Sequence, residues 1–567
     1  MTGALTGALT PRSARRRFTA VNFLFWLPVG LCLPSQVLLL GERGMGLAAI
    51  AGLFAVHSLT VAALELPTGG LSDVIGRRTV LAAAGVFNLT ALTLLALGTT
   101  VWALTLAMVL MGSGRALSSG PAEAWYVDTV QAHSGPGAEL RTGLARGNTA
   151  CATALALGTL IGGGLPWLLQ GPASGLGGGL DTATGGALLP LSVPALLGAA
   201  VGLVFVTYVL TALREPPRLP ATLRGVLRGV LRGVPATVVG GLRLGARDGL
   251  VRRVLLTAAA AGTALAAIEL LAPGRAAALT GAAESGALLF AALACAGFLC
   301  TALGSHCAPS AARLAGSGER AVLVSLALSA TGLTLLGATL LWTGTTALVL
   351  AAAGYALVYF GLGSAGPNEN DLLHHRVDSA GRATALSVKS LALQLAAALA
   401  GLVAGVLPTG PLPWLLVAGV LLVVAGSWIR PAPLPPAPLP TGAVAPAGVA
   451  PAEPLVSAAS AGRPVAAAAV ATGGSPVGAG SPPVRPGTED PTGPADPTAR
   501  TGAAGPAGSP PIVTASARLP SGRAEAPSTG LPGELRRALP RELPGGPATG
   551  LPEVPTETPG SIRHPSG

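Results

Sequence analysis

Charged side chains within long apolar runs are the residues of this sequence best suited to chemistry. Arg115 lies in the stretch "MGSGRALSSGPAEAWYVD", and Glu269 lies in a second apolar run. A charge inside a membrane is costly and usually functional, and a carboxylate in an apolar run can titrate near neutrality. We expect these two residues to be functional, together with three acids toward the ends of the runs: Glu65, Glu123 and Asp128.

A second group of charges lies in a glycine-rich segment between two apolar runs. The segment reads "GGLSDVIGRR" and contains Gly70, Asp73, Gly76, Arg77 and Arg78. Glycine permits close helix approach and a tight turn that a side chain would hinder. The segment is therefore either an ordinary solvated turn or a moving part.

The apolar runs that must position these charges predict membrane helices. The chain has 567 residues, is 50% hydrophobic and only 10% charged, and has a mean hydropathy of +0.63. A soluble protein carries about a quarter charged residues, whereas stretches of about twenty apolar residues cross a bilayer as helices. The pattern predicts an all-α polytopic membrane protein with twelve transmembrane helices, at 18–40, 47–67, 79–98, 101–122, 143–169, 187–213, 252–272, 284–304, 321–341, 344–366, 383–407 and 411–429.

The distribution of basic residues predicts the orientation of these spans. The N-terminus and every second loop together hold 23 basic residues, whereas the alternate loops hold only Arg43 and Arg275. Under the positive-inside rule both termini are cytoplasmic. The net charge of +11 follows from this topology, so it does not indicate nucleic-acid binding. The preference for arginine over lysine, with much alanine and glycine, is typical of GC-rich coding. It therefore indicates a bacterial inner (cell) membrane.

The spans divide six and six around a basic loop, which predicts five segments. They are a cytoplasmic N-terminal segment (1–17), a six-helix bundle (18–213), a basic cytoplasmic loop (214–251), a second six-helix bundle (252–430) and a tail (431–567). The tail contains 30 of the 50 prolines and carries nine arginines and nine acids. Such a composition cannot bury enough apolar surface to fold, so we expect a disordered cytoplasmic tail.

The two sets of six spans resemble each other. Three matches recur in one order at offsets of 246, 242 and 240 residues: "SSGPAEAW" (Ser118–Trp125) with "SAGPNEND" (Ser364–Asp371), "DVIGRRTVL" (Asp73–Leu81) with "AGSGERAVL" (Ala315–Leu323), and Trp102 with Trp342. Their common order predicts an internal duplication, as in two-domain transporters.

The segment "GGLSDVIGRR" resembles the signature loop of the major facilitator superfamily, whose pattern runs Gly-x-Leu-Ala-Asp-x-x-Gly-Arg-Arg. The twelve spans, the duplication and the central loop agree with it, so the resemblance covers residues 18–430. It implies a secondary transporter that works by alternating access. In the superfamily the matching acid faces a helix N-terminus of the other half and pairs with the loop arginine. Asp73, Arg77 and Arg78 would thus form a cytoplasmic latch of the outward-open state.

Two further resemblances bear on the direction of transport. Arg115 is similar to the span-four arginine that is linked to proton transfer in proton-coupled members. "ALGTLIGGGL" resembles the glycine-rich antiporter signature, with Gly158 and Gly162 at the right spacing and Gly163 in place of its proline. Generic packing of small residues explains this stretch about equally well.

These features predict proton-coupled efflux of a small organic molecule by an antiporter. The nearest alternative is an uptake symporter or uniporter on the same fold, and an alternative of another class is a non-transporting membrane scaffold that acts through its tail. The spans contain no nucleophile–base pair, metal-ligand spacing or phosphate-binding loop, so we expect neither an enzyme nor a cofactor or metal. The expected partners are the substrate, protons and the lipid bilayer, but not nucleic acid, and we expect a monomer.

Overall fold

Helices form every regular element that the structure describes. The structure is a computed structural model that describes residues 9–68, 71–135, 137–215, 238–243, 245–376 and 379–430. The predicted tail (431–567) and most of the central loop (216–237) lie outside the described residues. The fold below therefore concerns the membrane part of the chain.

The first half of the membrane part comprises ten helices. They are α1 (Pro11–Cys32), α2 (Gln36–Glu42), α3 (Leu47–Thr68), α4 (Leu71–Ile75), α5 (Arg77–Leu97), α6 (Val101–Ser118), α7 (Pro121–Ser134), α8 (Arg141–Gln170), α9 (Ser174–Thr184) and α10 (Val193–Ala212), with a 3-10 turn at Pro190–Ser192.

The second half continues with longer helices. They are α11 (Gly249–Thr280), α12 (Ala283–Ala315), α13 (Gly318–Ala338), α14 (Gly344–Arg376), α15 (Ser379–Val406) and α16 (Leu412–Gly426), with a 3-10 turn at Thr339–Leu341. Residues 238–243 and 245–247, between the halves, are also helical.

The described helices confirm the predicted fold class. Eleven segments are long and apolar enough to cross a membrane, and α16 is a shorter apolar helix of 15 residues. The chain is thus an all-α polytopic membrane protein.

The structure corrects several predicted helix ends. The helix α1 begins at Pro11 rather than at residue 18. Its first turn is capped by Thr10, whose side chain accepts a hydrogen bond from the Ser13 amide at 3.3 Å. The predicted fourth span, 101–122, is two helices that meet at Gly120, whose φ of +98° favours glycine. Its second part, α7, continues to Ser134. Hydropathy detects only the apolar part of a helix, so these polar continuations were missed.

The helices run back and forth between two ends of the bundle. We call "basic end" the end that carries the start of α1 and residues 137–140, 213–215, 245–248 and 316–317. We call "opposite end" the end that carries residues 43–46, 98–100, 171–192, 281–282 and 407–411. The described residues of the loops predicted to be cytoplasmic lie at the basic end.

The same helix pairs pack in both halves. The contact of α1 with α8 recurs as α11 with α15, and that of α3 with α6 recurs as α12 with α14. The helix α5 packs against α6 and α10, as α13 packs against α14 and α16. This recurrence supports the predicted duplication.

The two halves share a buried apolar cluster near the opposite end. There, Leu270, Ala287 and Ala404 of the second half join a buried cluster built mainly by the first half. At the basic end, the buried members of one cluster come from the first half, while Val251, Leu373 and Ala385 form a separate cluster in the second half. The α3–α15 and α8–α12 contacts connect the halves.

Arg43 and Arg275, the two basic residues of the alternate loops, both cap helices at the opposite end. Arg43 donates to the carbonyls of Leu95, at 2.6 Å, and Ala96, in the last turn of α5. Arg275 donates to the Thr339 carbonyl and, at 3.3 Å, to its hydroxyl, just after α13. A cation at a helix C-terminus satisfies free carbonyls and opposes the helix dipole. A local packing role therefore explains why these arginines lie there.

Candidate functional site

Arg115 lies in the last turn of α6, against the first helix. Its guanidinium stands 4.9 Å from the centroid of the Trp26 ring, within range of a cation–π interaction. Arg115 also lines a cavity of about 40 Å³ together with Asn22, Trp26 and Ser118. A polar cavity of that size has room for water. The arginine is thus held by an aromatic ring and lies beside a space that can hold water.

Glu65 connects this arginine to the second half. The charge of the Glu65 carboxylate acts on Arg115 within the first half. Across the interface, Ser390 Oγ of α15 donates a hydrogen bond of 2.6 Å to Glu65 Oε2. Of the acids predicted to accompany Arg115, Glu65 is therefore the one whose carboxylate bridges the two halves.

The structure does not bring the other two predicted partners to Arg115. Asp128, on α7, instead forms an ion pair with Arg77. Glu123 lies in the first turn of α7, and its carboxylate has no hydrogen-bond or ion-pair partner among the described residues. The sequence places Glu123 and Asp128 on the helix that follows Arg115, but it does not determine which of them faces the arginine.

The glycine-rich segment is tied to the first half at its end. Gly76 has a φ of +100°, and a Cβ at this position would come 2.8 Å from Glu215 Oε2. Glu215 also accepts a 2.7 Å hydrogen bond from the Arg78 amide and so caps α5. Arg77 donates to Ala124 O at 2.6 Å, besides its pairing with α7.

The latch prediction is only partly covered by the structure. The Arg78 guanidinium donates to Leu210 O, so both arginines have partners in the first half. Gly70 and the side chain of Asp73 lie outside the described residues. The latch therefore stays a prediction.

Glu269 lies in the second half beside two tyrosines. Its charge acts on the phenols of Tyr355 and Tyr359 of α14, whose rings stack with centroids 5.8 Å apart. Tyr355 is 1% exposed, and its hydroxyl has no hydrogen-bond partner among the described residues. Phe298 packs against Tyr359 and also against the first-half core. An acid with an unsatisfied phenol nearby is a suitable place for a proton.

A buried ion pair on α14 and α15 was missed by sequence reasoning. Glu369 is 3% exposed, and its Oε2 lies 2.9 Å from Lys389 Nζ. Lys389 also donates to Asn370 Oδ1 at 3.3 Å. Two signals were available: Glu369 matches Glu123 in the repeat, and Lys389 is the one lysine of the sequence.

The three glycines of the antiporter-like stretch pack α8 against two neighbours. A Cβ on Gly158 would come 2.6 Å from Leu27 O of α1, and one on Gly162 would overlap Leu31. A Cβ on Gly163 would come 2.5 Å from Ala287 O of α12. Gly158 and Gly162 thus serve packing inside the first half, whereas Gly163 lies at the interface between the halves.

An aspartate caps the first helix of the second half. Asp248 accepts hydrogen bonds from the Leu250 and Val251 amides and from Arg376 Nε, the last at 2.7 Å. Burial raises the pKa of the Asp248 carboxyl, but these hydrogen bonds and the charge of Arg376 outweigh it, so the pKa lies below its ordinary value. Among the described residues, no group of three or more His, Cys, Asp or Glu side chains is placed to hold a metal ion.

Solved structures of other proteins resemble this chain in fold, whereas its sequence matches no known family. No protein-family model matches the chain, and no curated protein matches its sequence. A D-xylose-proton symporter matches with a TM-score of 0.54 at 16% identity, over 74% of this chain and 97% of the symporter. The chain has the fold of a transporter.

Two further structures agree. The nucleoside transporter NupG matches with a TM-score of 0.54 at 14% identity, over 73% of this chain and 98% of its own. A bacterial homologue of the human lysosomal transporter Spinster, in an inward-facing and unoccupied conformation, matches with a TM-score of 0.54 at 14% identity. The match covers 74% of this chain and 96% of the homologue. All three structures are of transporters.

Proposed function

We propose that this chain is a secondary active transporter that exchanges protons for a small organic molecule and exports that molecule by alternating access. The observation that carries the proposal is the position of Glu65. This intramembrane carboxylate interacts with Arg115 in its own half and accepts a hydrogen bond from Ser390 in the other half. A group that titrates at the interface of two moving bodies can couple protonation to their motion.

Protonation of Glu65 changes both of its interactions. The carboxylate loses its attraction to Arg115, and the charge-assisted hydrogen bond from Ser390 becomes a weaker bond between neutral groups. Site-to-site coupling of this kind amounts to about 1–3 kcal/mol, or roughly 5- to 150-fold in an equilibrium. Loading or release of one proton therefore shifts the balance between the two conformations.

The packing of the halves suggests which conformation is present. The shared apolar cluster joins the halves at the opposite end, while each half has its own cluster at the basic end. With the basic end in the cytoplasm and the protein in a bacterial inner membrane, this is an inward-facing arrangement. In it, Arg77 and Arg78 hold partners within the first half, as expected for a latch that closes only in the outward-open state.

An uptake symporter is the second candidate. One of the structures with the same fold is a proton symporter, and a carboxylate at the interface couples either direction of transport. The sign of coupling, rather than the fold, distinguishes efflux from uptake.

A vesicle experiment tests the proposal. Susceptibility and metabolite screens of cells with and without the gene identify a substrate, whose transport is then measured in inverted and right-side-out vesicles under an imposed proton gradient. Efflux predicts accumulation in inverted vesicles that are acidic inside, and uptake predicts the reverse pattern. Glu65→Gln should abolish the gradient dependence, while the control Asp371→Asn, an exposed acid of α14, should not. Gradient-dependent transport by Glu65→Gln would contradict the assigned role of Glu65.

A further inference from the structure

The single lysine of this chain lies in a buried ion pair. Of 35 basic residues, 34 are arginines, and the lysine is Lys389. Its Nζ lies 2.9 Å from Glu369 Oε2, and the side chain of that acid is only 4% exposed. A buried pair is weak evidence for stability, because the loss of hydration offsets the attraction of the charges. A residue type used once, at such a place, therefore points to a role beyond stability.

Lysine differs from arginine in a way that matters at this position. An arginine binds a carboxylate with a rigid, planar fork, often through two parallel bonds. A lysine is a compact charge on a flexible stem, with donors that rotate. Lysine is therefore the basic residue that can most readily leave one carboxylate for another.

A second carboxylate lies next to this pair along α15. Lys389 is followed directly by Ser390, which donates to Glu65 of the first half at 2.6 Å. Successive residues of a helix point about 100° apart, so Lys389 faces α14 while its neighbour faces α3. Two adjacent residues of α15 thus contact acids of different halves: Lys389 contacts Glu369 of its own half, and Ser390 contacts Glu65 of the other half.

We propose that Glu369 is a proton-binding site of the transporter, and that Lys389 exchanges Glu369 for Glu65 when Glu369 is protonated. The proton comes from water and binds the Glu369 carboxylate, which becomes a neutral acid. Lys389 keeps its three protons and moves as an ammonium ion to the Glu65 carboxylate. No other bond forms or breaks, and the site gains one positive charge.

This exchange determines which conformation protonation of Glu369 favours. The new pair of Lys389 with Glu65 joins the halves near the basic end, where the described buried clusters are otherwise separate. Protonation of Glu369 therefore favours closure of the basic end. The inference rests on the proposed transport function, but it concerns an acid in the second half that the function itself does not require.

Lys389 dominates the electrostatic surroundings of Glu369. The helices α11, α12 and α13 pack against α14, and Lys389 of α15 contacts it through Glu369. Within the described part of the chain, Lys389 of α15 is the group whose charge acts on Glu369. On the first-half side, Ser390 contacts Glu65, whose charge in turn acts on Arg115. A pH effect at Glu369 should therefore act through the lysine.

Distances between spin labels at the two ends of the bundle test the exchange without a known substrate. The five native cysteines, all free, are replaced, and labels are attached in pairs to exposed positions of the full chain in lipid. Ser134 with Leu314 reports on the basic end, and Trp102 with Trp342 reports on the opposite end. Double electron–electron resonance is recorded from pH 5 to 9.

The wild type should move between two distance distributions as the pH changes. One coupled proton changes the ratio of two states by up to about tenfold per pH unit. Glu369→Gln, which imitates the protonated acid, should show the short basic-end distance at every pH. Adding Glu65→Gln to that variant should lengthen the distance again, because the new partner of Lys389 is lost. Asp371→Asn should behave as the wild type.

Further variants guard against an effect on folding alone. The double variant Glu369→Gln with Lys389→Met removes both buried charges, so it should fold, lack the pH response and keep the long basic-end distance. Three results would each overturn the inference. The wild type could fail to respond to pH, the Glu369→Gln variant could still respond to pH, or the short basic-end distance could persist after Glu65→Gln is added. Wild-type transport, measured in vesicles, would then leave the proposed function standing by itself.

Discussion

One methyl group at Gly163 should shift the balance between the two conformations of the proposed transporter. Gly163 lies on α8 and faces α12 of the other half. A Cβ built on it would come 2.5 Å from both Ala287 O and Ala291 Cβ. Because Ala287 belongs to the shared cluster at the opposite end, we expect Gly163→Ala to disfavour the conformation in which this end is closed.

The size of the effect follows from the geometry. Ordinary contacts of a Cβ lie at 3.4–4 Å, so α8 and α12 must separate by about 1 Å to admit the methyl group, and overpacking of this kind costs about 1–3 kcal/mol. Relief is available when the halves part at this end, so the cost falls on one state. The helix propensity of alanine, better than that of glycine by about 1 kcal/mol, acts on both states alike. The open fraction should therefore rise roughly 5- to 150-fold.

Labelling of a cysteine in the shared cluster measures that fraction. Ala404 is 2% exposed and belongs to the cluster, so Ala404→Cys should react slowly with a maleimide in an otherwise cysteine-free protein. Adding Gly163→Ala should accelerate the reaction by the factor given above. Gly164→Ala is the matched control, because a Cβ there meets nothing within 4 Å. Gly162→Ala should instead lower the unfolding temperature, since its Cβ would overlap Leu31 within the first half. Equal labelling rates for the Gly163 and Gly164 variants would refute the reasoning.

Three further predictions concern topology, the glycine-rich segment and the start of the second half. A cysteine at Thr343 should react with an impermeant maleimide added to intact cells, and one at Ser134 should not; labelling of Ser134 would overturn the assignment of the basic end to the cytoplasm. Gly76→Ala should destabilise the protein by about 1–3 kcal/mol, since a side chain is strained at φ +100° and would approach the carboxylate that caps α5, and an unchanged unfolding temperature in detergent would contradict this. Asp248→Asn should lower the unfolding temperature at pH 7, because the depressed pKa of Asp248 stabilises the fold above the unfolded pKa of about 3.9. The difference from wild type should disappear as the pH falls through the folded pKa, and a difference that persists in acid would show that the hydrogen bonds of Arg376 do not depend on the charge.

Hydrophobic runs and arginine positions were sufficient to predict the fold. A helix in a membrane must satisfy its backbone internally and must be apolar over its whole span, so composition alone reveals it. The helix ends were less predictable. The polar residues that carry α7 on to Ser134, and the broken first span at Leu33–Ser35, depend on contacts and caps that hydropathy does not detect.

The site was predictable in its residue types but not in its pairings. Arg115 and Glu65 were identifiable because charges are rare in apolar runs. Which acid faces the arginine depends on helix rotation, and this rotation turns Asp128 toward Arg77 instead. Ser390 carried no signal at all, since a serine in a helix is unremarkable until its partner across the interface is known.

The repeat explains why the second half was harder to interpret. Its helices pack in the same pairs as those of the first half, yet its charges differ: Ala315 stands where the first half has Asp73, and Glu369 is paired with a lysine while Glu123 has no described partner. A duplicated scaffold preserves the motion, because the motion depends on helix packing, whereas each half is free to change the charges that bias it. Proton coupling in such a chain is therefore best sought where the halves differ in charge while their packing agrees, and Glu369 with Lys389 satisfies both conditions.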